Sequence, residues 1–147
     1  MYKSIVLVLV VLLLGVCIVG VQAKPVDVVS FGVTVTECAY VEIEGVQEWI
    51  PFENTTVVAR GRVWAHGLTA FSLTSRKYHE ELYEGLFTGL FGEIGMSKNG
   101  SLYSLGFETG YSKTFDQGAA IVRVVVPFIL QGSGAAEGVS IGYRHFF

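Results

Sequence analysis

The sequence carries little charge for its length. Charged residues make up 16% of the 147 residues and hydrophobic residues 51%, whereas a typical soluble domain has about a quarter charged residues. The formal net charge is −3, and no stretch forms a basic patch. We therefore expect no nucleic-acid partner.

Cysteine and histidine are also scarce. The only cysteines are Cys17 and Cys38, and an exported chain that lost its N-terminal segment would keep Cys38 alone. One thiol excludes an intrachain disulfide framework, so we interpret Cys38 as a small buried apolar residue, with a reactive thiol as the alternative. His66, His79 and His145 lack the spacing of metal ligands, and we expect neither a metal nor a cofactor.

The N-terminus has the pattern of a secretory signal peptide. Lys3 precedes an apolar run from Ile5 to Val21, and small Ala23 fits a cleavage site. We predict a signal peptide over 1–23 and one mature domain over 24–147; an uncleaved membrane helix is the alternative. Cleavage removes one positive charge and takes the formal net charge from −3 to −4.

The last third of the chain consists of three segments in which large apolar residues alternate with small or charged ones. Side chains on a strand point to opposite faces with period two, so each segment has one apolar face. The residues of that face are Tyr103, Leu105, Phe107, Tyr111, Val122, Val124, Val126, Phe128, Leu130, Val139, Ile141, Tyr143 and Phe147.

The opposite face carries mainly Gly and Ser with a few charges, which fits the inside of a narrow closed barrel. Pro127 and Ile129 belong to that face in this register. If the apolar face points outward, its solvent is lipid, and in a bilayer only helices and closed barrels satisfy every backbone group. We predict an all-β fold, an antiparallel up-and-down transmembrane β-barrel of about eight strands.

The strands in the first two thirds of the chain are less clearly defined by the sequence. A first strand follows Pro25, and either a turn near Glu37 or one long strand to Gly45 comes next, so strand boundaries between 26 and 54 stay open. The charged run 75–81 is interpreted as a connection. In 83–97, leucines four apart favour a helix, but the four glycines there each cost a helix about 1 kcal/mol, and we favour a strand.

The chain end G-V-S-I-G-Y-R-H-F-F resembles the closing strand of small eight-stranded bacterial outer-membrane barrels of the adhesin or opacity type. Val139, Ile141, Tyr143 and terminal Phe147 match that pattern, whereas His145 departs from the usual apolar residue. The resemblance implies an outer-membrane location and a C-terminal signal, at Ile141, Tyr143 and Phe147, that the barrel-assembly machinery reads. The expected partners are membrane lipid and that machinery.

Pro127 is a second departure, because proline cannot donate to the strand ladder and a closed barrel has no free edge. A β-bulge at Pro127 would accommodate it. An open sheet with Pro127 on an edge strand is the alternative, and it would weaken the membrane interpretation.

Six charged residues fall on the inward face of the predicted barrel. An eight-stranded barrel has an interior just wide enough for side chains, so we favour a salt-bridged plug over a polar lumen that conducts solutes. The six residues are Arg60, Arg62, Glu93, Glu108, Arg123 and Arg144.

The sequence favours a non-enzymatic outer-membrane barrel with a structural or surface-interaction role. One alternative is an outer-membrane lipid-modifying enzyme, for which Ser72 and His66 are the candidate residues, although no hydrolase motif surrounds them. Another is a secreted or periplasmic soluble β-sandwich or lipocalin-like binding protein. The last is a porin-like weak pore.

Overall fold

The structure, a computed structural model, describes most of the mature domain predicted above. The described ranges are 27–34, 38–47, 50–65, 67–98, 100–116, 118–131 and 138–146. The predicted signal peptide 1–23 and the terminal Phe147 lie outside them. No helix in these ranges is long and apolar enough to span a membrane.

The fold is a closed barrel of eight antiparallel strands, which confirms the prediction of an all-β, up-and-down barrel of about eight strands. Each strand pairs with its neighbour in sequence, and β1 pairs with β8 from Val28↔Phe146 to Thr34↔Ser140, which closes the barrel. The strands are β1 (Val28–Thr34), β2 (Cys38–Val46), β3 (Thr55–Trp64), β4 (Thr69–Tyr78), β5 (Gly85–Ser97), β6 (Gly100–Thr114), β7 (Gly118–Gln131) and β8 (Val139–Phe146).

The region between 26 and 54 contains two strands rather than one long strand. β1 and β2 pair antiparallel from Val28↔Glu44 to Val33↔Ala39, so the chain reverses between Thr34 and Cys38. Because the strand number is even, β1 starts and β8 ends at the same end of the barrel. We call this the terminal end, and it also carries the connections 47–54, 79–84 and 115–117.

The alternation read from the sequence separates the two faces of the barrel wall. In β6, Tyr103, Leu105 and Phe107 are exposed, whereas Ser104 and Glu108 are buried. Within a closed barrel, buried means facing the interior, because the wall is one sheet thick. The apolar face therefore points outward and the charged face inward.

A register shift interrupts the pairing of β6 with β7 at the position of Pro127. Gly106 pairs with Pro127 while Leu105 pairs with Ile129, so Phe128 is the extra residue of a β-bulge. The bulge predicted from Pro127 is confirmed. It also corrects the face predicted for Ile129, which is exposed beside Phe128 rather than turned inward.

The structure also defines the secondary structure of two further segments, 85–97 and 75–81. Segment Gly85–Ser97 is a strand, as favoured above, and pairs along its length with β4 and β6. The charged run 75–81 is not a connection over its full length, because β4 continues to Tyr78, which pairs with Phe87. Its inward series therefore continues through Arg76 and Tyr78.

Neighbouring strands approach Gly110 closely, so adding a methyl group at this position should destabilise the barrel. A Cβ there would overlap the carbonyl oxygen of Val122 and lie 2.5 Å from Phe87 Cζ. We expect Gly110→Ala to lower the free energy of unfolding by about 1–3 kcal/mol, as overpacked interiors do, in equilibrium urea titrations.

The matched control is Gly92→Ala, whose Cβ would meet only the flexible end of Leu105, 3.3 Å away. This variant should unfold close to the wild-type midpoint. Equal midpoints for Gly110→Ala and wild type would contradict the interior packing.

Candidate functional site

Nine charged side chains from seven strands converge inside the barrel, and all of them are buried. Because inward positions recur every second residue, each strand supplies one or two of them. They are Glu42 and Glu44 on β2, Arg60 and Arg62 on β3, Arg76 on β4, Glu93 on β5, Glu108 on β6, Arg123 on β7 and Arg144 on β8. We call this set the interior network.

Glu42 lies at the centre of the interior network and binds three arginines. Its Oε2 accepts from Arg60 Nε and from Arg123 Nη1, each at 2.8 Å. Its Oε1 accepts from Arg76 Nη1 at 3.3 Å. One carboxylate thus links strands β2, β3, β4 and β7 across the lumen.

Glu108 repeats this role from the opposite wall. Its Oε2 accepts from Arg60 Nη2 at 2.7 Å, and its Oε1 accepts from Arg76 Nε at 2.7 Å. Arg60 and Arg76 therefore each bridge Glu42 and Glu108. Such charge-assisted hydrogen bonds are short and stronger than neutral ones.

Glu44 forms the part of the network nearest the terminal end. Its Oε2 accepts from Arg76 Nη1 and Arg144 Nη2, each at 2.7 Å. Its Oε1 accepts hydroxyl bonds from Thr56 and Tyr78, each at 2.6 Å. Four donors satisfy this carboxylate, as a fully buried anion requires.

The fifth arginine, Arg62, pairs with Glu93 toward the other end of the barrel. Aromatic rings complete the surroundings of the guanidinium groups: Arg62 lies 4.7 Å from the centre of the Trp64 ring, and Arg123 lies 4.6 Å from that of Tyr40. Ring faces attract cations, so these contacts add to the stabilisation of the two positive charges.

Apolar clusters close the interior on both sides of the network. At the end opposite the termini, Trp64 and Leu68 pack with three other buried residues, Cys38, Ala70 and Leu102. At the terminal end, Tyr78, Phe87 and Ile121 pack together, with Leu82 and Tyr83 of the 79–84 connection against them. The charges are therefore enclosed between two apolar layers.

Contacts of Tyr83 hold the 79–84 connection against the terminal end of the barrel. Its φ of 68° is in the left-handed region, which is uncommon for a residue with a side chain. Its hydroxyl donates to Asp27 Oδ2 at 2.8 Å, and its ring meets that of Phe146 at 5.8 Å. Burial, followed by the Asp27 hydrogen bond, raises the pKa of Tyr83, so the hydroxyl stays a donor.

The structure brings all six residues of the predicted charge set into one interior. Sequence reasoning missed Glu42, Glu44, Arg76 and Tyr78. Glu42 and Glu44 already alternate with Val41 and Ile43, so period two could have found them once the strand boundary was fixed. Arg76 and Tyr78 were hidden because a run dense in charge was interpreted as a connection.

Ser72, one of the two residues considered for catalysis, is buried and pairs in register with Arg60 and Glu93. Among the residues that the structure describes, its hydroxyl has no hydrogen-bond partner. His66 lies outside the described residues. His79 follows the end of β4 and approaches Thr88 Oγ1 at 2.9 Å.

Metal-binding side chains are not clustered either. Within the described ranges, no group of three or more His, Cys, Asp or Glu residues is arranged to hold a metal ion. Cys38, at the start of β2, is a buried free thiol. Its surroundings are apolar and include Trp64 and Leu102.

Comparisons with protein-family models, with curated proteins and with solved structures found no match. Two features of the barrel bear on its function: the enclosed interior network and the outward apolar face.

The interior network predicts a large cost for neutralising its central carboxylate. Glu42→Gln would remove one negative counter-charge from the buried guanidinium groups of Arg60, Arg76 and Arg123. We expect a loss of about 3–5 kcal/mol in the free energy of unfolding, as when one partner of a buried ion pair is removed, measured by equilibrium denaturation.

Glu84→Gln provides the control, because Glu84 pairs with Lys113 at the solvent-exposed end of the barrel. Solvent screens such a pair, so the loss should be far smaller. Similar losses in the two variants would mean that the interior network is not what holds the barrel together.

Proposed function

We propose that this protein is a non-enzymatic outer-membrane β-barrel with a structural or surface-interaction role. The observation that carries the proposal is the direction of the two faces. Phe107, Val124 and Tyr143 keep 42%, 38% and 42% of their surface exposed, whereas Glu108 and Arg144 are wholly buried. Charge inside and apolar surface outside is the arrangement that a lipid solvent selects.

The extent of the apolar surface argues against a soluble binding protein. Soluble monomers rarely expose contiguous apolar patches larger than a few hundred Å². Here every strand except β3 carries at least one large apolar side chain that is exposed. A lipocalin-like protein would also need an open cavity for its ligand, whereas this interior is filled by ion pairs and rings.

Strand length supports the same proposal. β5, β6 and β7 contain 13, 15 and 14 residues. At about 3.3 Å per residue and a tilt of about 40°, ten residues already rise about 25 Å, the height of the apolar band of such barrels. The three longest strands can therefore cross the band and extend beyond it.

Aromatic residues on the outer face occur toward both ends of the barrel. Tyr103 and Phe128 lie toward the end opposite the termini, and Tyr111 and Phe115 toward the terminal end. Membrane barrels carry aromatic girdles at both interfaces. This distribution supports a transmembrane orientation with the barrel axis across the bilayer.

The enclosed interior and short connections favour a structural role over transport or adhesion. Apolar clusters close both ends of the interior network, so we infer that the barrel does not conduct solutes. The longest connection between strands is 47–54, with eight residues, which leaves little chain for an extended binding surface.

Export and assembly complete the proposal. The segment 1–23 would direct export, and Ile141, Tyr143 and Phe147 would form the signal that the assembly machinery reads. Ile141 and Tyr143 point outward on β8, with 57% and 42% of their surfaces exposed. They are thus accessible to a partner before the barrel enters lipid.

Membrane fractionation combined with gel migration tests the proposal. We expect the full chain to stay with the outer-membrane fraction and to migrate differently before and after boiling, because a closed barrel resists detergent until heated. Recovery in the soluble fraction, with one mobility regardless of heating, would refute the membrane location.

If the outer face contacts lipid, the free energy lost by placing a charge on it should depend on how deep the position lies in the bilayer. Leu105 and Ser101 lie on the outer face of β6, but Ser101 is at the strand end. We expect Leu105→Arg to cost about 2–4 kcal/mol and Ser101→Arg about 0–1 kcal/mol, as for midplane and interfacial positions in lipid. Urea titration in lipid vesicles measures both, and equal costs would contradict a lipid-facing wall.

A further inference from the structure

A groove runs along the outer wall near the terminal end, where β3 to β6 meet the 47–54 connection. Its volume is about 360 Å³, within the range of sites that bind small molecules, about 300–1,000 Å³. It is open toward the surroundings of the barrel and separate from the interior network. Its main lining residues are Phe52, Ser75, Lys77, Thr88, Leu90 and Phe107.

Short side chains beside large ones create the groove. Ser75 pairs with Leu90, which pairs with Phe107 on the next strand. The small Ser75 leaves a depression next to these two apolar residues. Phe52 stands at the edge with 68% of its surface exposed, so it forms a wall that the strands alone do not supply.

The groove changes from apolar to polar along its length. Leu90 and Phe107 form the part toward the middle of the barrel, whereas Lys77 and Thr88 pair at the terminal end of their strands. The groove is thus apolar toward the middle of the barrel wall and cationic, with a hydroxyl group, toward its end. This matches a lipid molecule whose acyl chain points toward the membrane centre and whose headgroup lies at the interface.

The ammonium group of Lys77 is placed to meet such a headgroup. Its Nζ donates to the carbonyl oxygen of Glu53 at 3.0 Å, and among the residues that the structure describes no carboxylate forms an ion pair with it. Lys113, a second lysine at this end of the outer wall, instead pairs with Glu84 at 3.1 Å. Lys77 is therefore the better partner for an anion.

We propose that this groove binds one anionic phospholipid, with an acyl chain against Leu90 and Phe107 and the phosphate at Lys77. The inference rests on the proposed membrane location and adds to it a preferred lipid and a position. Thr88 lies beside Lys77. His79 Nε2 approaches its hydroxyl at 2.9 Å, and when the imidazole donates in that contact the hydroxyl proton can be given to a phosphate oxygen.

Native mass spectrometry of the full chain in detergent tests the site, with phosphatidylglycerol and phosphatidylcholine added in separate samples. We expect the wild type to retain one phosphatidylglycerol in preference to phosphatidylcholine. Lys77→Gln should weaken phosphatidylglycerol retention by about fivefold, the contribution of one lysine near an anionic surface. Lys77→Arg should restore it.

Lys113→Gln is the matched control and should retain the lipid like the wild type. Equal retention of the two lipids by the wild type would overturn the proposal. Unchanged phosphatidylglycerol retention in Lys77→Gln would also overturn it. So would retention in Lys113→Gln that is as weak as in Lys77→Gln. Heat-dependent gel migration and vesicle flotation of the same samples separate the two failures, because a barrel that floats but shows no lipid preference refutes only the groove.

Discussion

Neutralisation of buried charge is the constraint on which the rest of this structure depends. Glu42 and Glu108 each bind guanidinium groups from strands across the barrel, and Arg60 and Arg76 each bridge the two carboxylates. Buried charges without partners are strongly destabilising. The strands must therefore close into one register, because any slip of one residue would turn a charge outward.

The same register fixes the outer surface. When period two directs Glu108 inward, it directs Phe107 and Thr109 outward, so the charged lumen and the apolar wall are two results of one pairing. Apolar clusters around Trp64 and Tyr78 then separate the charges from both ends. Stability, closure of the lumen and the proposed affinity for lipid all follow from that arrangement.

Sequence reasoning could predict the architecture because period two is strong where strands are long. Tyr103 to Glu108 and Ile121 to Val126 alternate without interruption, and the bulge at Pro127 follows from its missing donor. The face of Ile129 could not be predicted, because a bulge reverses the alternation after it at a position that only the pairing defines.

For a related reason, only six of the nine charged residues of the interior network could be predicted. Arg60, Arg123 and their neighbours lie within clear strands, whereas Arg76 lies in a run whose charge is typical of a connection. Which carboxylate meets which guanidinium depends on contacts between residues as far apart in sequence as Glu44 and Arg144. No local sequence pattern encodes such pairing, which becomes apparent only in the closed barrel.

The central claim is that the outer wall contacts hydrocarbon, and a spin label at Leu105 tests it most directly. The label is attached to Leu105→Cys in a Cys38→Ala background, and the protein is placed in lipid vesicles. We predict that lipid-soluble oxygen relaxes the label more strongly than an aqueous nickel complex does, with a weaker bias at Ser101→Cys. Equal access of the nickel complex to both positions would contradict the account.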